Sequence, residues 1–158
     1  LEGDVCAVTG ALGGMGVEIC REFARNGANV VLLDLDEEKV KAAAADLAAE
    51  FGIHAEGYKM NATDEAEVQA AVDATIANFG RVDVLVNTAG ILRFAAMEDL
   101  PLSDWNEVIN VNLTGYFITS QRFGREMIKA GWCTSRPSLA TPPRRSRACT
   151  APPRPAST

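Results

Sequence analysis

Residues 9–16 read Thr-Gly-Ala-Leu-Gly-Gly-Met-Gly, set between a short apolar run at residues 5–8 and an amphipathic stretch. Strand, glycine loop and helix in that order constrain the fold sharply, because this is the arrangement that holds a dinucleotide pyrophosphate. A glycine at the turn admits positive φ, and the missing Cβ atoms let backbone N–H groups approach phosphate oxygens. The helix N-terminus behind the loop adds the positive end of its dipole. Thr9, Gly10, Gly14, Met15 and Gly16 are the candidate cofactor contacts from this segment.

The alternation of strand and helix continues downstream. Residues 4–9 read as a first strand and 14–26 as a helix with Met15, Ile19, Cys20, Phe23 and Ala24 as its apolar stripe, stopped by Gly27. Residues 28–35 form a continuous apolar run containing Asp34 near its end, as expected of a parallel strand buried on both faces. Helix is predicted over 36–50, with Val40 and Leu47 on one face, and a weaker third strand over 53–60. Thr63 is expected to cap a helix reaching Phe79, with Val68, Ala71, Val72 and Ile76 inward. Residues 82–87 read as a fourth buried strand, and Ser103 or Asp104 as the cap of a long helix reaching Ile128 or Lys129. The pattern predicts an α/β chain, a Rossmann-type doubly wound parallel sheet whose strand–helix alternation stops after a fourth strand and its following helix.

Residues 1–131 form the one folded domain expected, and 132–158 a tail of different composition. Six of the seven prolines and five arginines fall between residues 133 and 158, with no acidic residue among them. That composition predicts a disordered basic tail. The first 132 residues hold ten basic against twenty-one acidic side chains, so the body has no nucleic-acid footprint. No apolar run approaches the roughly 20 residues that span a bilayer, and no basic-then-apolar leader opens the chain. The four cysteines lack metal-ligand spacing, and Cys6 and Cys20 fall at apolar positions, so no metal is expected. Buried free thiols suit a reducing, cytoplasmic compartment.

Asp34 stands 24 residues after Gly10, at the end of the second strand. A carboxylate there accepts hydrogen bonds from both ribose hydroxyls of adenosine and repels a 2′-phosphate. Neither Gly13 nor Leu35 is the basic residue that a 2′-phosphate would need, so the expected cofactor is NAD.

These residues together resemble the short-chain dehydrogenase/reductase family over about residues 2–130. The Thr-Gly-x-x-x-Gly-x-Gly spacing at 9–16 is that family's, distinct from the G-x-G-x-x-G of other dinucleotide folds. Asn61-Ala62-Thr63-Asp64 resembles the family's adenine-contacting turn, usually Asp-Val-Thr-Asp, and Asn61 is expected to accept a hydrogen bond from the adenine amino group. Asn87-Thr88-Ala89-Gly90 resembles the Asn-Asn-Ala-Gly motif closing the fourth strand. Thr88 stands for the second asparagine, with a hydroxyl still able to make a local backbone bond. Residues 105–117, containing Asn112, resemble the helix that carries the family's active-site asparagine. The resemblance implies that Asn112 kinks this helix and holds a water in a proton relay. A solvent-facing helix amide is the plain alternative, and the flanking Val111 and Leu113 argue for a buried one.

The family's chemistry is done by a serine, a tyrosine and a lysine, with three residues between the last two. The tyrosine is the general acid/base, its pKa lowered by the lysine. Here Tyr58 is followed four positions later by Ala62, and Tyr116 by Ser120. A one-base shift of the reading frame accounts for the gap. With third bases chosen freely, residues 132–139 become Val-Val-His-Val-Ala-Ser-Ile-Ala and residues 149–154 become Leu-Tyr-Ser-Ala-Ser-Lys. The serine, tyrosine and lysine triplets then end in the codons of Pro137, Thr150 and Arg154, intervals of 13 and 4. The tail is therefore expected to be a frameshifted reading of the catalytic segment, beginning near Gly131.

The leading expectation is an NAD-dependent enzyme moving a hydride between nicotinamide and a small alcohol or ketone, inactive in the chain as written. A non-catalytic dinucleotide-binding fragment is the competing class, and a 3-oxoacyl-carrier-protein reductase the alternative within the family. An arginine-proline binding module fits poorly, because the tail has no aromatic residue for stacking. Arg93, Phe94 and Met97 are expected along the near wall of the substrate pocket. The family's sheet order would leave residues 82–86 on an open edge, favouring association. The resemblance also implies a homo-oligomeric full-length parent.

Overall fold

A computed structural model describes residues 1–130; the expectations for residues 132–158 lie outside the described residues. Four parallel strands, β1 (Val5–Thr9), β2 (Asn29–Asp34), β3 (Ala55–Lys59) and β4 (Val84–Asn87), lie in the order β3-β2-β1-β4. Cys6 is level with Val30 on one side and Val84 on the other. Between the strands run α1 (Gly14–Arg25), α2 (Glu37–Phe51) and α3 (Glu65–Phe79). After β4 come α4 (Leu102–Ile109), a π-helical turn (Asn110–Thr114) and α5 (Gly115–Lys129).

The two-residue side-chain period of the strands divides the core into two layers. Val5 and Ala7 of β1, with Val31 and Leu33 of β2, pack against Val68 and Val72 of α3 and against Phe123 and Met127 of α5. Val8, Val30 and Leu32 face the other way, onto Cys20 and Ala24 of α1 and Val40, Ala44 and Leu47 of α2. β1 and β2 can be apolar without interruption because each face meets a helix. Among the described residues no helix is long and apolar enough to cross a membrane.

Several local expectations are corrected. The cap of α3 is Asp64, whose carboxylate accepts from the N–H groups of Ala66 and Glu67, while the Thr63 hydroxyl donates to Asn61 Oδ1 instead. Met15 is 72% exposed and lies off the inward stripe of α1. The last helix begins at Leu102, directly after Pro101, with no side-chain cap from Ser103 or Asp104. Its interruption is not a correction, because it falls at Asn112, where the resemblance implies a kink. Within the π-helical turn the Gly115 N–H donates to the Asn110 carbonyl, five residues back. β4 starts at Val84 and its residues are half-buried, since β1 is its single strand neighbour among the described residues.

Phe123 is fully buried and joins α5 to the face that β1, β2 and α3 build. Phe123→Ala should cost about 3 kcal/mol of stability through lost transfer energy and residual cavity. Urea denaturation should show a lowered midpoint with an unchanged slope.

Candidate functional site

The chain runs β1, β2, β3 outward in one direction and then returns to lay β4 on the opposite side of β1. Ligands of open α/β sheets bind outside the carboxyl ends of the strands at such a reversal. The residues singled out in the sequence gather there. Thr9 and Gly10 close β1, Asp34 closes β2, Asn61 and Ala62 follow β3, and Asn87 to Gly90 close and follow β4.

β1 and β4 are joined at this end by polar bonds. Thr9 is fully buried, and its hydroxyl donates to Asn87 Oδ1 at 3.3 Å. The same oxygen accepts from the N–H groups of Thr88 (3.2 Å) and Ala89 (3.3 Å). Thr88 Oγ1 donates in turn to the Thr9 carbonyl at 2.6 Å, a backbone bond across to β1 where a local one was expected. Asn87 is further held by α5: Thr119 Oγ1 lies 2.9 Å from its Oδ1, and its Nδ2 donates to Ser120 Oγ at 3.0 Å. Thr119 and Ser120 were not singled out in the sequence. The available signal was spacing, since Thr119 falls two helical turns after Asn112.

Gly10 has φ +65°, and a Cβ there would stand 2.6 Å from the Ala89 backbone nitrogen. At Gly16 a Cβ would stand 2.2 Å from the Gly10 carbonyl oxygen. Close backbone approach explains both residues. Gly14 is different: it is exposed, and a Cβ built on it meets nothing within 4 Å. It opens α1, whose N-cap Gly13 contributes no side-chain bond and whose first turn holds no acidic residue. α2 and α3, by contrast, are capped by Asp36 and Asp64 and carry glutamates in their first turns. The first N–H groups of α1 thus have no intrahelical acceptor and no side-chain cap.

Asp34 lies beside this loop. Its Oδ2 accepts from the Leu12 N–H at 2.9 Å and its Oδ1 from the Leu35 N–H at 2.7 Å. A carboxylate has about four acceptor sites, so both oxygens keep capacity for further donors. Past Asp34, the Met60 N–H donates to the Asp34 carbonyl at 2.7 Å, which brings Asn61 next to it. Asn61 Oδ1 accepts from both the N–H and the Oγ1 of Thr63, at 3.0 and 2.9 Å. Ala62 is buried, and Gly115 at the start of α5 faces it so closely that a Cβ there would stand 3.3 Å from the alanine methyl.

Asn112 lies inside the π-helical turn and is half-buried. Its Oδ1 accepts from the Ile91 N–H at 2.8 Å and its Nδ2 donates to the Ile91 carbonyl at 2.9 Å. The amide therefore clips the segment after β4 in both directions, and the helix is distorted where that clip is made. Arg93 is paired with Glu107 of α4, Nη2 to Oε2 at 2.9 Å, while Phe94 and Met97 are 90% and 78% exposed. Tyr58 sits on β3 with its hydroxyl accepting from Asn78 Nδ2 at 2.7 Å. Burial pushes its pKa up, opposite to what a tyrosine general base requires.

Residues 4–134 match the family model described as short chain dehydrogenase. The chain is 44% identical over 131 residues to D-threitol dehydrogenase of Mycolicibacterium smegmatis, covering 83% of this chain and 50% of that protein. It is 37% identical over 132 residues to a 3-oxoacyl-(acyl-carrier-protein) reductase of Aquifex aeolicus, covering 84% and 53%. The structure resembles NAD+-bound xylitol dehydrogenase with a TM-score of 0.78 at 35% identity, over 82% of this chain and 50% of that one. An alcohol dehydrogenase of the archaeon Thermococcus sibiricus, complexed with 5-hydroxy-NADP, gives a TM-score of 0.77 at 29% identity, over 81% and 55%. The chain belongs to the short-chain dehydrogenase family, and it spans about half the length of the curated relatives it matches.

The two helical glycines should respond oppositely to a methyl group. Gly16→Ala should lower the thermal midpoint, because its Cβ overlaps backbone that cannot swing aside. Gly14→Ala should leave the midpoint unchanged or raise it slightly, as expected for alanine in an uncrowded helical position. Differential scanning calorimetry of the two variants would distinguish them.

Proposed function

We propose that the chain is the cofactor-binding half of an NAD-dependent alcohol dehydrogenase or carbonyl reductase, acting on a small alcohol or ketone. The observation that carries this reading is Gly14, whose missing side chain answers to no neighbour within the described residues. It leaves a cradle over the open N-terminus of α1, which suits a pyrophosphate. In this reading the N–H groups of Gly14, Met15 and Gly16 hold the phosphates, and Thr9 and Gly10 shape the loop. Asp34 accepts from the adenosine ribose hydroxyls. Asn61 and Ala62 flank the base, and Asn87, Ala89 and Gly90 border the nicotinamide end. A bound nicotinamide supplies the hydride acceptor or donor. The xylitol dehydrogenase neighbour is NAD+-bound and the archaeal neighbour is complexed with an NADP derivative; Asp34, with no basic residue at 13 or 35, favours NAD here.

Asn112 is the one catalytic-machinery residue in the proposal. With its side chain committed to Ile91, the opened π-helical backbone around it is the element that would orient a relay water. The serine, tyrosine and lysine that complete the chemistry are proposed to lie in the shifted frame of residues 132–158, so the chain as written does not turn over. The buried thiols of Cys6 and Cys20, both pushed up to about 12 by burial, are unreactive and support a cytoplasmic setting. Leu102, Trp105, Ile109, Leu113 and Phe117 are exposed, which supports a homo-oligomeric full-length parent. The second reading within the family is a 3-oxoacyl-carrier-protein reductase-like enzyme, supported by the 37% identity to the A. aeolicus protein of that name.

Calorimetric titration should show the unmodified chain binding NAD more tightly than NADP, with Asp34→Ala weakening NAD and narrowing the gap; equal or tighter NADP binding would overturn the assignment. Turnover is expected to be undetectable in the 158-residue chain. Restoring one base near the Gly131 codon should bring activity back. In that repaired enzyme Asn112→Ala should lower kcat by about 10²-fold or more, the lower range of general acid/base contributions.

A further inference from the structure

Met15 sits in the first turn of α1, between Gly14 and Gly16, and is 72% exposed. The inward side of that helix is made by Cys20 and Ala24 with Ile19 and Phe23 beside them, and Met15 belongs to neither core layer. A long helical side chain turns back toward the helix N-terminus and covers the turn before its own Cα. For Met15 that turn is Gly13 and Gly14, where the first N–H groups have no side-chain cap and no acidic neighbour. Access to an oxidant is uneven across the molecule. Met60 and Met127 are buried in the core, while Met15 and Met97 stand open to solvent. Cys6 and Cys20 are buried, and burial pushes both thiols up to about 12, so neither offers a thiolate that would react first.

We propose that Met15 is a site of reversible oxidation by a hydroperoxide, and that its sulfoxide closes the phosphate end of the cofactor site. The inference rests on the dinucleotide reading above. The thioether sulfur attacks one peroxide oxygen, forming an S–O bond as the O–O bond breaks. Sulfur gives up two electrons, and the leaving oxygen departs as water or alcohol with the proton of the transferred hydroxyl. The product carries a strong acceptor oxygen where the thioether was a weak one. Held over the turn that opens α1, that oxygen takes the N–H groups that the pyrophosphate would use, and its negative end repels the phosphates. A thiol-dependent sulfoxide reductase returns the thioether, so the closure is reversible.

The test is calorimetric titration of the full chain with NAD before and after hydrogen peroxide, with peptide mass spectrometry placing the added oxygen. Sulfoxide is expected at Met15 and Met97, with NAD affinity lowered about tenfold or more, the worth of one hydrogen bond to a charged group. Saturating NAD during the treatment should slow oxidation at Met15 more than at Met97. Each variant is read as its own ratio of treated to untreated affinity. Met15→Leu should give a ratio near one, whereas Met97→Leu should keep the loss seen in the unmodified chain. Cys133 and Cys149 lie outside the described residues and remain in both variants. A loss carried by either thiol therefore persists in Met15→Leu and overturns the inference. Full sulfoxide at Met15 with unchanged NAD affinity overturns it too, as does a Met15 that resists peroxide while Met97 is oxidised. Failure of the untreated chain to bind NAD overturns the reading beneath it and the inference together.

Discussion

The backbone of Gly10 rests against that of Ala89, so closely that a Cβ on the glycine would stand 2.6 Å from the alanine nitrogen. Everything at the carboxyl end of the sheet depends on that approach. It holds the glycine loop against the turn after β4, with the buried Thr9 hydroxyl as the fastening between them. A buried hydroxyl costs stability unless its donor and acceptors are all used. Here it gives one hydrogen bond to Asn87 and receives two from backbone N–H groups, so the fastening is satisfied without water.

From that fastening outward, each strand end adds a different chemistry. β1 ends in backbone donors, β2 in a carboxylate, and β3 in an amide whose oxygen is already engaged. β4 ends in an asparagine held by three hydroxyls, from Thr9, Thr119 and Ser120. The gradient from anion-binding backbone to acceptor carboxylate suits one extended ligand lying across the strands. α5 reaches the same end by the π-helical turn. Skipping one residue turns the helix after Asn112 by about 100° relative to the helix before it. Thr119 and Phe123 consequently face the sheet, while Leu102 and Ile109 of α4 remain exposed.

The strands and the first three helices were legible because their causes are local: continuous apolar runs, helical stripes, and Gly27 as a stop with φ +77°. The errors fall where a long-range bond decides between local alternatives. Thr63 and Asp64 are both competent caps, and the choice went to Asp64 because Thr63 is drawn to Asn61, on the other side of the turn. The long helix carries no proline at its break, and Gly115 closes the π-helical turn; only the resemblance, through Asn112, implied a kink here. Its interruption coincides with the pair of bonds between Asn112 and Ile91, twenty-one residues apart, which no helical period encodes. Residue identities at the site were readable from motif spacing. The state of the Asn61 oxygen was not, since that depends on where two donors of Thr63 point.

Asp34 carries one more consequence. Its carboxylate secures the Leu12 N–H, and Leu12 belongs to the loop between Gly10 and Gly16. The side chain proposed to read the ribose is therefore a brace of the phosphate loop as well. A substitution that discards the acid would in the same step leave Leu12 without its acceptor. The path of least resistance toward the phosphorylated cofactor adds a basic residue at Leu35, which is 62% exposed, before Asp34 is touched. In this chain, then, the residue proposed to choose between the cofactors and the residue that steadies the loop are one side chain.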